Sequence, residues 1–196
     1  MLPRANLLEG GTLKVTETDL AVAAAIYPIL VECARETPIR KLTYGELIEE
    51  AKQRFPNDDA VQNAIPVSLG RRLDVVRMFL NDQNLPDLTV VVVNAGTGEV
   101  GSAFGANPHV VRAEVAAYDW SSVSEQFTLH ITSLRKDVEA RKRPKLNRDQ
   151  AKDAMASYYK ENGAGYPKDI SRKREDIIAL ICEGLSAEDA FQTVMS

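Results

Sequence analysis

The sequence contains few residues of the types that build metal sites and covalent active sites. Only two of the 196 residues are cysteines and two are histidines. Cys33 and Cys182 lie within apolar helical patterns and have no second ligand at metal-binding spacing, so neither a zinc site nor a disulfide framework is predicted. His130 lies in an apolar helical pattern where a packed side chain is expected, and His109 follows a proline at a helix start. The sequence predicts buried thiols, an exposed His109 and no metal or other cofactor.

Long apolar runs are also absent. The longest, from Ala21 to Val31, is interrupted by Pro28 and falls short of the roughly 18 to 20 residues that a bilayer-spanning helix requires. The first residues lack the basic region, apolar core and small-residue cleavage site of a secretory signal. We therefore expect a cytoplasmic protein with no membrane partner.

Motifs for nucleophilic or nucleotide chemistry are missing as well. The serines after Trp120 lack the strand-turn-helix glycines of a nucleophile elbow. Residues 96–98 read Gly-Thr-Gly, without the Gly-Lys-Ser/Thr that opens the helix of a Walker loop. Asp74, Asp82 and Asp87 would form a metal site only if the fold brought them together. Binding is therefore expected rather than catalysis.

Charge is distributed unevenly along the chain. The net charge is -4, yet the segment from Arg135 to Arg174 carries 13 basic and six acidic residues, which makes it +7 and the remainder -11. Such a basic block can bind phosphates, since each neutralised phosphate releases counterions. It can equally form a solvated helix face that complements the acidic remainder. Nucleic-acid contact is slightly favoured.

The first part of the chain predicts an irregular segment and then a helix. Residues 1–18 lack a sustained periodic pattern. A helix over about residues 20–36 follows, because its apolar residues recur at helical spacing. Thr18 or Asp19 is expected to cap its N-terminus.

Two further helices are indicated before residue 84. Thr43 is the predicted N-cap of the second helix, because Glu46 three residues later completes a capping box. Pro66 suits the first turn of the third helix, where a backbone N–H has no intrahelical partner. The third helix has an apolar core stripe, formed by Leu69, Leu73, Val76 and Leu80. Its predicted outer face consists of Val67, Arg71, Asp74, Val75 and Met78.

The third helix is followed by a pattern typical of a β-hairpin. Residues 88–94 contain four consecutive valines, whose branched side chains favour strands. Residues 94–98 tolerate the positive φ of a short turn, and residues 99–104 return as the partner strand. Two helices followed by a ribbon are the order of a winged helix-turn-helix, which presents its second helix to the DNA major groove.

The rest of the chain predicts more helices. Residues 107–144 are expected to form one long connecting helix, with Trp120 as a core anchor. The acidic last helix is expected to pack or dimerise, because it would repel phosphate. The predicted fold class is α+β, mainly α: a winged helix-turn-helix with a two-stranded wing plus C-terminal helices. Its parts are an irregular N-terminus (1–18), the winged-helix domain (19–106), the connecting helix (107–144) and a basic helical region (145–196).

Several short motifs resemble known DNA-binding domains. They are Thr43-Tyr44-Gly45-Glu46-Leu47, Leu69-Gly70-Arg71-Arg72-Leu73, Asn84-Leu85-Pro86 and Asn94-Ala95-Gly96-Thr97-Gly98. This part, about a third of the chain, resembles the DNA-binding domain of alkyltransferase-like proteins. It is also similar to a small winged-helix module of phage and restriction-associated proteins. The resemblance implies a winged helix that binds duplex DNA.

The chain departs from alkyltransferases at the residues that perform their chemistry. In those enzymes a Pro-Cys-His-Arg segment at the start of the corresponding strand supplies the thiolate that accepts the alkyl group. Residues 86–91 of this chain contain neither cysteine nor histidine, which excludes alkyl transfer. The position of the family's arginine finger corresponds to Val67, so base flipping by that route is not expected.

The leading hypothesis is a non-catalytic winged-helix protein that binds double-stranded DNA, either phage-encoded or linked to DNA defence or counter-defence. Predicted contacts are Arg71, Arg72 and Arg77 on the third helix, Thr43 and Tyr44 at a helix N-terminus, and Thr97 at the wing tip. Phosphate affinity would come from Lys142, Arg143, Lys145, Arg172, Lys173 and Arg174.

A rival hypothesis is nearly as well supported. Val67, Val75 and Met78 surround Arg71 on the predicted outer face, and Asp74 there would oppose phosphate. Exposed apolar surface of this kind usually meets a partner. The chain would then be a protein-binding inhibitor or adaptor that uses the winged helix as a scaffold. A homodimer and a DNA-processing enzyme remain open alternatives.

Overall fold

The computed structural model describes residues 15–101, 104–140 and 145–195. Most of the predicted irregular N-terminus, together with Lys142 and Arg143, lies outside these ranges. The described part is mainly helical and contains a small two-stranded parallel sheet, in keeping with the predicted α+β class. Within it, no helix is both long enough and apolar enough to cross a membrane.

Helix α1, Glu17–Arg35, runs through the core and contains Pro28 in its interior. Its N-cap is Thr16, two residues before the first predicted cap. The hydroxyl of Thr16 accepts from the Asp19 backbone N–H at 3.1 Å, and the Asp19 carboxylate accepts from the Thr16 backbone N–H at 2.9 Å. Asp19 is therefore the third helical residue of a capping box rather than the cap itself.

The next elements follow the predicted order. Strand β1, Leu42–Thr43, leads directly into helix α2, Tyr44–Arg54. A short helix α3, Asp59–Gln62, and a 3-10 turn, Pro66–Ser68, precede helix α4, Leu69–Asp82. The predicted capping box at α2 is confirmed, because Thr43 and Glu46 bond each other's backbone N–H groups. The first-turn position of Pro66 and the four buried positions of the α4 core stripe are also confirmed.

The predicted β-hairpin is wrong in its pairing. Residues Leu88–Val91 form a buried 3-10 turn, and only Val92–Val93 form strand β2. Strand β2 pairs in parallel with β1, with Leu42 opposite Val92, so among the described residues no strand over 99–104 accompanies it. The valines favour a strand locally, but tertiary packing overrides that preference because they are buried between α1 and α4. The turn at 94–98 does form, with Gly98 at φ 67°.

The predicted long helix over 107–144 is two helices. Helix α5, Pro108–Ala117, is separated by a 3-10 turn, Trp120–Ser122, from helix α6, Val123–Ala140. The break occurs where the Asp119 carboxylate accepts from the Ser121 backbone N–H at 2.9 Å and so caps the turn. Helix α6 packs along α1, and Tyr27 stacks on Phe127 with ring centroids 3.9 Å apart.

Three helices complete the described chain: α7, Arg148–Asn162, α8, Arg174–Cys182, and α9, Ala187–Met195. They surround a second apolar core that is separate from the one around α1. We call residues 145–195 the C-terminal unit and residues 15–140 the N-terminal unit. Helix α9 buries Ala190, Phe191 and Val194 in the second core, which agrees with the packing role predicted for the last helix. Val67, just before α4, also packs against this core and joins the two units.

Candidate functional site

Arg72, predicted to contact DNA, is buried between the two units. Its exposed fraction is 0%, and its Nη1 donates to the Ser68 carbonyl at 2.8 Å. The same nitrogen lies 3.2 Å from Oδ1 of Asp19, and Nη2 forms an ion pair with Glu183 of the C-terminal unit. The predicted DNA contact at Arg72 has no accessible surface, because Glu183, which follows α8, pairs with the buried guanidinium.

Arg71 and Arg77 also face carboxylates of their own unit. Arg71 has an 11% exposed side chain, and its Nη2 lies 2.9 Å from Oδ2 of Asp19. Arg77 donates from Nε to Asp87 at 3.0 Å and from Nη2 to the Thr89 hydroxyl at 2.9 Å. These contacts hold α4 to α1 and to the segment before β2, so the predicted role of both arginines as free groove contacts is not supported by their geometry.

The predicted outer face of α4 is only partly a surface. Val75 is fully buried, which corrects its assignment to that face. The apolar stripe is broader than predicted because α4 packs on α1 and on the segment 88–91, and the C-terminal unit covers its beginning. Asp74 stays accessible, with a 47% exposed side chain.

The other three predicted DNA contacts of the winged-helix region are Thr43, Tyr44 and Thr97, and each lies in a different local environment. In the capping box the Thr43 backbone N–H donates to Glu46, so it is not available to a phosphate, while the Thr43 hydroxyl accepts from the Glu46 backbone N–H. Tyr44 is half-buried, and burial raises the pKa of its phenol. Thr97 is exposed in the turn, where its hydroxyl accepts from the Glu99 backbone N–H at 3.2 Å.

The four predicted phosphate contacts of the C-terminal unit are on the surface, but they do not all lie beside α4. Lys145, Arg172, Lys173 and Arg174 are all exposed. Lys145 lies beside the loop around Asp58 and Asp59, whereas Lys173 reaches the outer face of α4. Of the predicted phosphate contacts that the structure describes, Lys173 is thus the one brought next to α4.

A cleft of about 650 Å³ opens between α4, the segment 92–104 and α9. We call it the α4–α9 cleft. Its apolar walls are formed by Val67, Leu73, Val92, Val100, Phe104 and Val194, and its neutral polar groups include Tyr44, Asn94, Gln192 and Thr193. The charged residues that line it are Arg71, Asp74, Arg77, Lys173 and Asp189. Ligand sites commonly have this size, occur where two packed units meet, and combine apolar walls with a few polar groups.

Gly70 lies at the cleft on the exposed side of α4. A Cβ atom built at Gly70 meets no other atom within 4 Å, so the wall has open space at this position. Gly101, on another wall of the cleft, lies close to α2, since a Cβ at Gly101 would be 3.3 Å from the Tyr44 hydroxyl. Side chains added at Gly70 would therefore occupy the cleft without disturbing the core.

The aspartates considered as a metal site do not come together with other metal ligands in the described ranges. Asp74 and Asp87 both bind Arg77, and no group of three or more His, Cys, Asp or Glu side chains there is placed to hold a metal ion. Burial raises the pKa of the Cys33 thiol to about 11 and lowers the pKa of His130, which lies against Phe79. Cys33 is therefore the buried thiol that the sequence predicts, while Cys182 is partly exposed.

Sequence reasoning missed the residues that make the cleft. Phe104, Gln192 and Thr193 carry no motif, and the pairing of Arg72 with Glu183 spans 111 positions. Helical periodicity identifies each apolar face but not which faces meet across such distances. The single signal available was Asp74 on the predicted outer face of α4, a residue that would oppose phosphate.

We compared the chain with protein-family models, with curated protein sequences and with solved structures, and none of them matches it. The resemblance of its short motifs to alkyltransferase-like proteins stays a prediction.

Proposed function

We propose that this chain is a non-catalytic binding protein that holds a segment of a protein partner in the α4–α9 cleft, as an adaptor or inhibitor would. The observation that carries the proposal is the cleft itself, because it combines the partly exposed apolar residues Val67, Val100 and Phe104 with several charged groups. Its volume suits a few side chains of a partner rather than a whole domain. Apolar and aromatic contacts of this kind provide much of the energy at protein interfaces.

The charges of α4 favour a protein partner over the major groove of DNA. Arg71, Arg72 and Arg77 neutralise carboxylates within the protein, so a phosphate would have to compete with bonds already formed. Asp74 and Asp189 line the same cleft and would repel phosphate. Phe104 and Val67 instead offer apolar surface that a partner side chain can cover.

The Gly70→Trp variant tests this proposal. Its indole would fill the open space beside α4, and we expect it to weaken partner binding by about 100-fold. The matched control is Gly70→Ala, which adds only a Cβ and is expected to stabilise the helix by about 0.5–1 kcal/mol. Gln53→Trp adds a tryptophan at an exposed position of α2, so it controls for the effect of an added aromatic residue on the surface.

The measurement has two stages. The tagged wild-type chain is first used to capture a stoichiometric partner from cells, and the affinity of that partner is then measured by calorimetry for all four chains. Capture that is equal for wild type and Gly70→Trp would place the interaction elsewhere and contradict the proposal.

Nucleic-acid binding by a winged helix is the second candidate. It is favoured by the exposed run Arg172, Lys173 and Arg174, because unburied cations release counterions from phosphates. The order of α2, α4 and the turn at 94–98 follows that of a winged helix-turn-helix, although no two-stranded wing forms among the described residues. In this proposal DNA contacts the C-terminal unit and the turn rather than the buried arginines.

The double variant Arg172→Glu with Lys173→Glu separates this candidate from the first. If the run binds phosphate, affinity for every duplex sequence should fall more than tenfold, and the slope of log affinity against log salt should decrease by about two. Fluorescence anisotropy with labelled duplexes at several salt concentrations measures both. The matched control Lys41→Glu with Lys160→Glu makes the same change in net charge at other exposed positions. Equal losses in both double variants, or no binding by wild type at low salt, would contradict DNA contact at this run.

A further inference from the structure

The charged residues that line the α4–α9 cleft are three cations and two carboxylates, and their ion-pair partners behind the walls add one cation and three carboxylates. The cations that line it or support its walls are Arg71, Arg72, Arg77 and Lys173. The carboxylates are Asp19, Asp74, Asp87, Asp189 and Glu183. The ion pairs among these groups show how the surplus of one negative charge is distributed.

The pairs between α1, α4 and the C-terminal unit are balanced. Asp19 contacts both Arg71 and Arg72, and Glu183 contacts Arg72 from the other side. Two guanidinium groups thus face two carboxylates, and all four side chains are at most 11% exposed. On the other wall, Lys173 and Asp189 contribute one charge of each sign.

The remaining cation, Arg77, lies between two carboxylates and is bound more closely by one of them. Its Nε donates to Asp87 at 3.0 Å, whereas its Nη1 reaches Asp74 at 3.3 Å. Asp87 is further held by the backbone N–H and the hydroxyl of Thr89, at 2.9 and 2.6 Å. Of the two carboxylates beside Arg77, Asp74 is therefore the one that is bound more weakly and is more exposed.

Asp74 is also placed to receive a ligand. It lines the cleft, and 47% of its side chain is exposed. Partial burial raises the pKa of its carboxyl, which means that the negative charge is incompletely stabilised by its surroundings. An ionised carboxylate has about four lone-pair sites for hydrogen bonds, and the bond from Arg77 uses one of them.

We propose that Asp74 receives a cationic side chain, lysine or arginine, from the protein segment that occupies the cleft, with the apolar part of that segment against Phe104. This inference rests on the proposed function and adds the chemistry of the partner. Arg77 connects the two contact groups, because its guanidinium lies 5.8 Å from the centre of the Phe104 ring and also bonds Asp74. The cation contributes selectivity for a basic partner, and the aromatic ring contributes contact area.

An anionic ligand would be less favourable in the α4–α9 cleft than a cationic one. It would meet exposed Lys173, but it would also face Asp74 and Asp189 across the same space. The attraction of Arg71 and Arg77 for an anion is reduced by their ion pairs with Asp19 and Asp87. Repulsion of like charge at Asp74 therefore makes an anion the weaker ligand.

A pair of small probes with the same ring and opposite charge tests the inference. Phenethylammonium and 3-phenylpropionate are titrated separately into the full-length 15N-labelled chain, and the amide signals of Gly70 and Gly101 are followed by NMR. We expect phenethylammonium to shift these signals with a dissociation constant on the order of 1 mM, and 3-phenylpropionate to bind at least tenfold more weakly.

Two variants identify the carboxylate responsible. Asp74→Asn should weaken phenethylammonium binding at least tenfold, while Asp74→Glu should retain it. Glu49→Gln removes an exposed carboxylate of α2 as a matched control and should have no effect. The amide spectrum of each variant away from the cleft reports whether the fold is retained.

The possible failures are distinguishable. Preferred binding of 3-phenylpropionate, unchanged phenethylammonium binding by Asp74→Asn, or no shift with either probe would overturn the role of Asp74. If partner capture nevertheless depends on Gly70, the cleft is still the binding site and only the charge of its ligand has been assigned wrongly. If capture does not depend on Gly70, the proposed function fails as well.

Discussion

Replacing Arg72 with alanine is expected to lower the free energy of unfolding by about 3–5 kcal/mol, the usual result of removing one partner from a buried ion pair. The substitution removes the ion pair of Glu183 and leaves Asp19 paired with Arg71. It also removes the donor to the Ser68 carbonyl at the start of α4. Urea denaturation followed by circular dichroism measures the loss.

Arg71→Ala is the matched control for this prediction. Arg71 is the neighbouring residue and also binds Asp19, but its side chain is 11% exposed, whereas that of Arg72 is fully buried. We expect a smaller loss, because Asp19 would retain Arg72. A loss of less than about 1 kcal/mol for Arg72→Ala, typical of an exposed pair, would contradict the buried network.

The shape of the unfolding curve adds a second readout. Arg72 joins the two units through its ion pair with Glu183, and Val67 adds an apolar contact between them. If these contacts couple the two cores, wild type should unfold in one transition and Arg72→Ala in two. Two transitions in both proteins would show that the ion pair does not couple the units.

Local sequence signals predicted the local structure well. Thr43 and Glu46 form the capping box that their spacing indicates, and Pro66 lies in the first turn before α4. The four apolar residues of the α4 stripe are all buried. These features depend on residues within one or two helical turns of each other, so the sequence contains all the information they require.

Features that depend on distant segments were not predictable in the same way. The valines at 90–93 have high strand propensity, but two of them lie in a 3-10 turn and two pair with β1 about 50 positions earlier. Burial of Arg72 depends on Glu183, 111 positions away. An arginine on a predicted helix is normally assigned to the surface, and only the position of its partner reveals otherwise.

The same limitation explains why the cleft was not foreseen. Its walls come from α4, from the segment 92–104 and from α9, and the sequence alone does not say that α9 lies beside α4. The basic residues suggested a DNA surface because composition reports their number and not their neighbours. Asp74 was the exception, since an acidic side chain on a proposed DNA-reading face conflicts with phosphate whatever lies nearby.

Replacing Trp120 with alanine is expected to cost about 3–5 kcal/mol of unfolding free energy, as large-to-small changes of aromatic core residues do. Trp120 is 1% exposed, and its Nε1 donates to the Val115 carbonyl at 2.9 Å near the end of α5. The substitution would create a cavity at the corner between α5 and α6 and remove a bond that fixes the break between them. Circular dichroism in urea is the measurement, because the variant has no tryptophan fluorescence.

Two controls separate the contribution of volume from that of the hydrogen bond. Trp120→Phe keeps an aromatic ring but loses the N–H donor, so we expect an intermediate loss of about 1–3 kcal/mol. Tyr118→Ala truncates the neighbouring ring, which is 37% exposed and lies 4.8 Å from Trp120, and should cost less than either change.

Helix α6 packs on α1, and α1 provides the Asp19 that holds Arg71 and Arg72. If Trp120→Ala loosens this packing, the probe-induced shifts at Gly70 should weaken in the variant, whereas an unchanged response would confine the role of Trp120 to the α5–α6 corner.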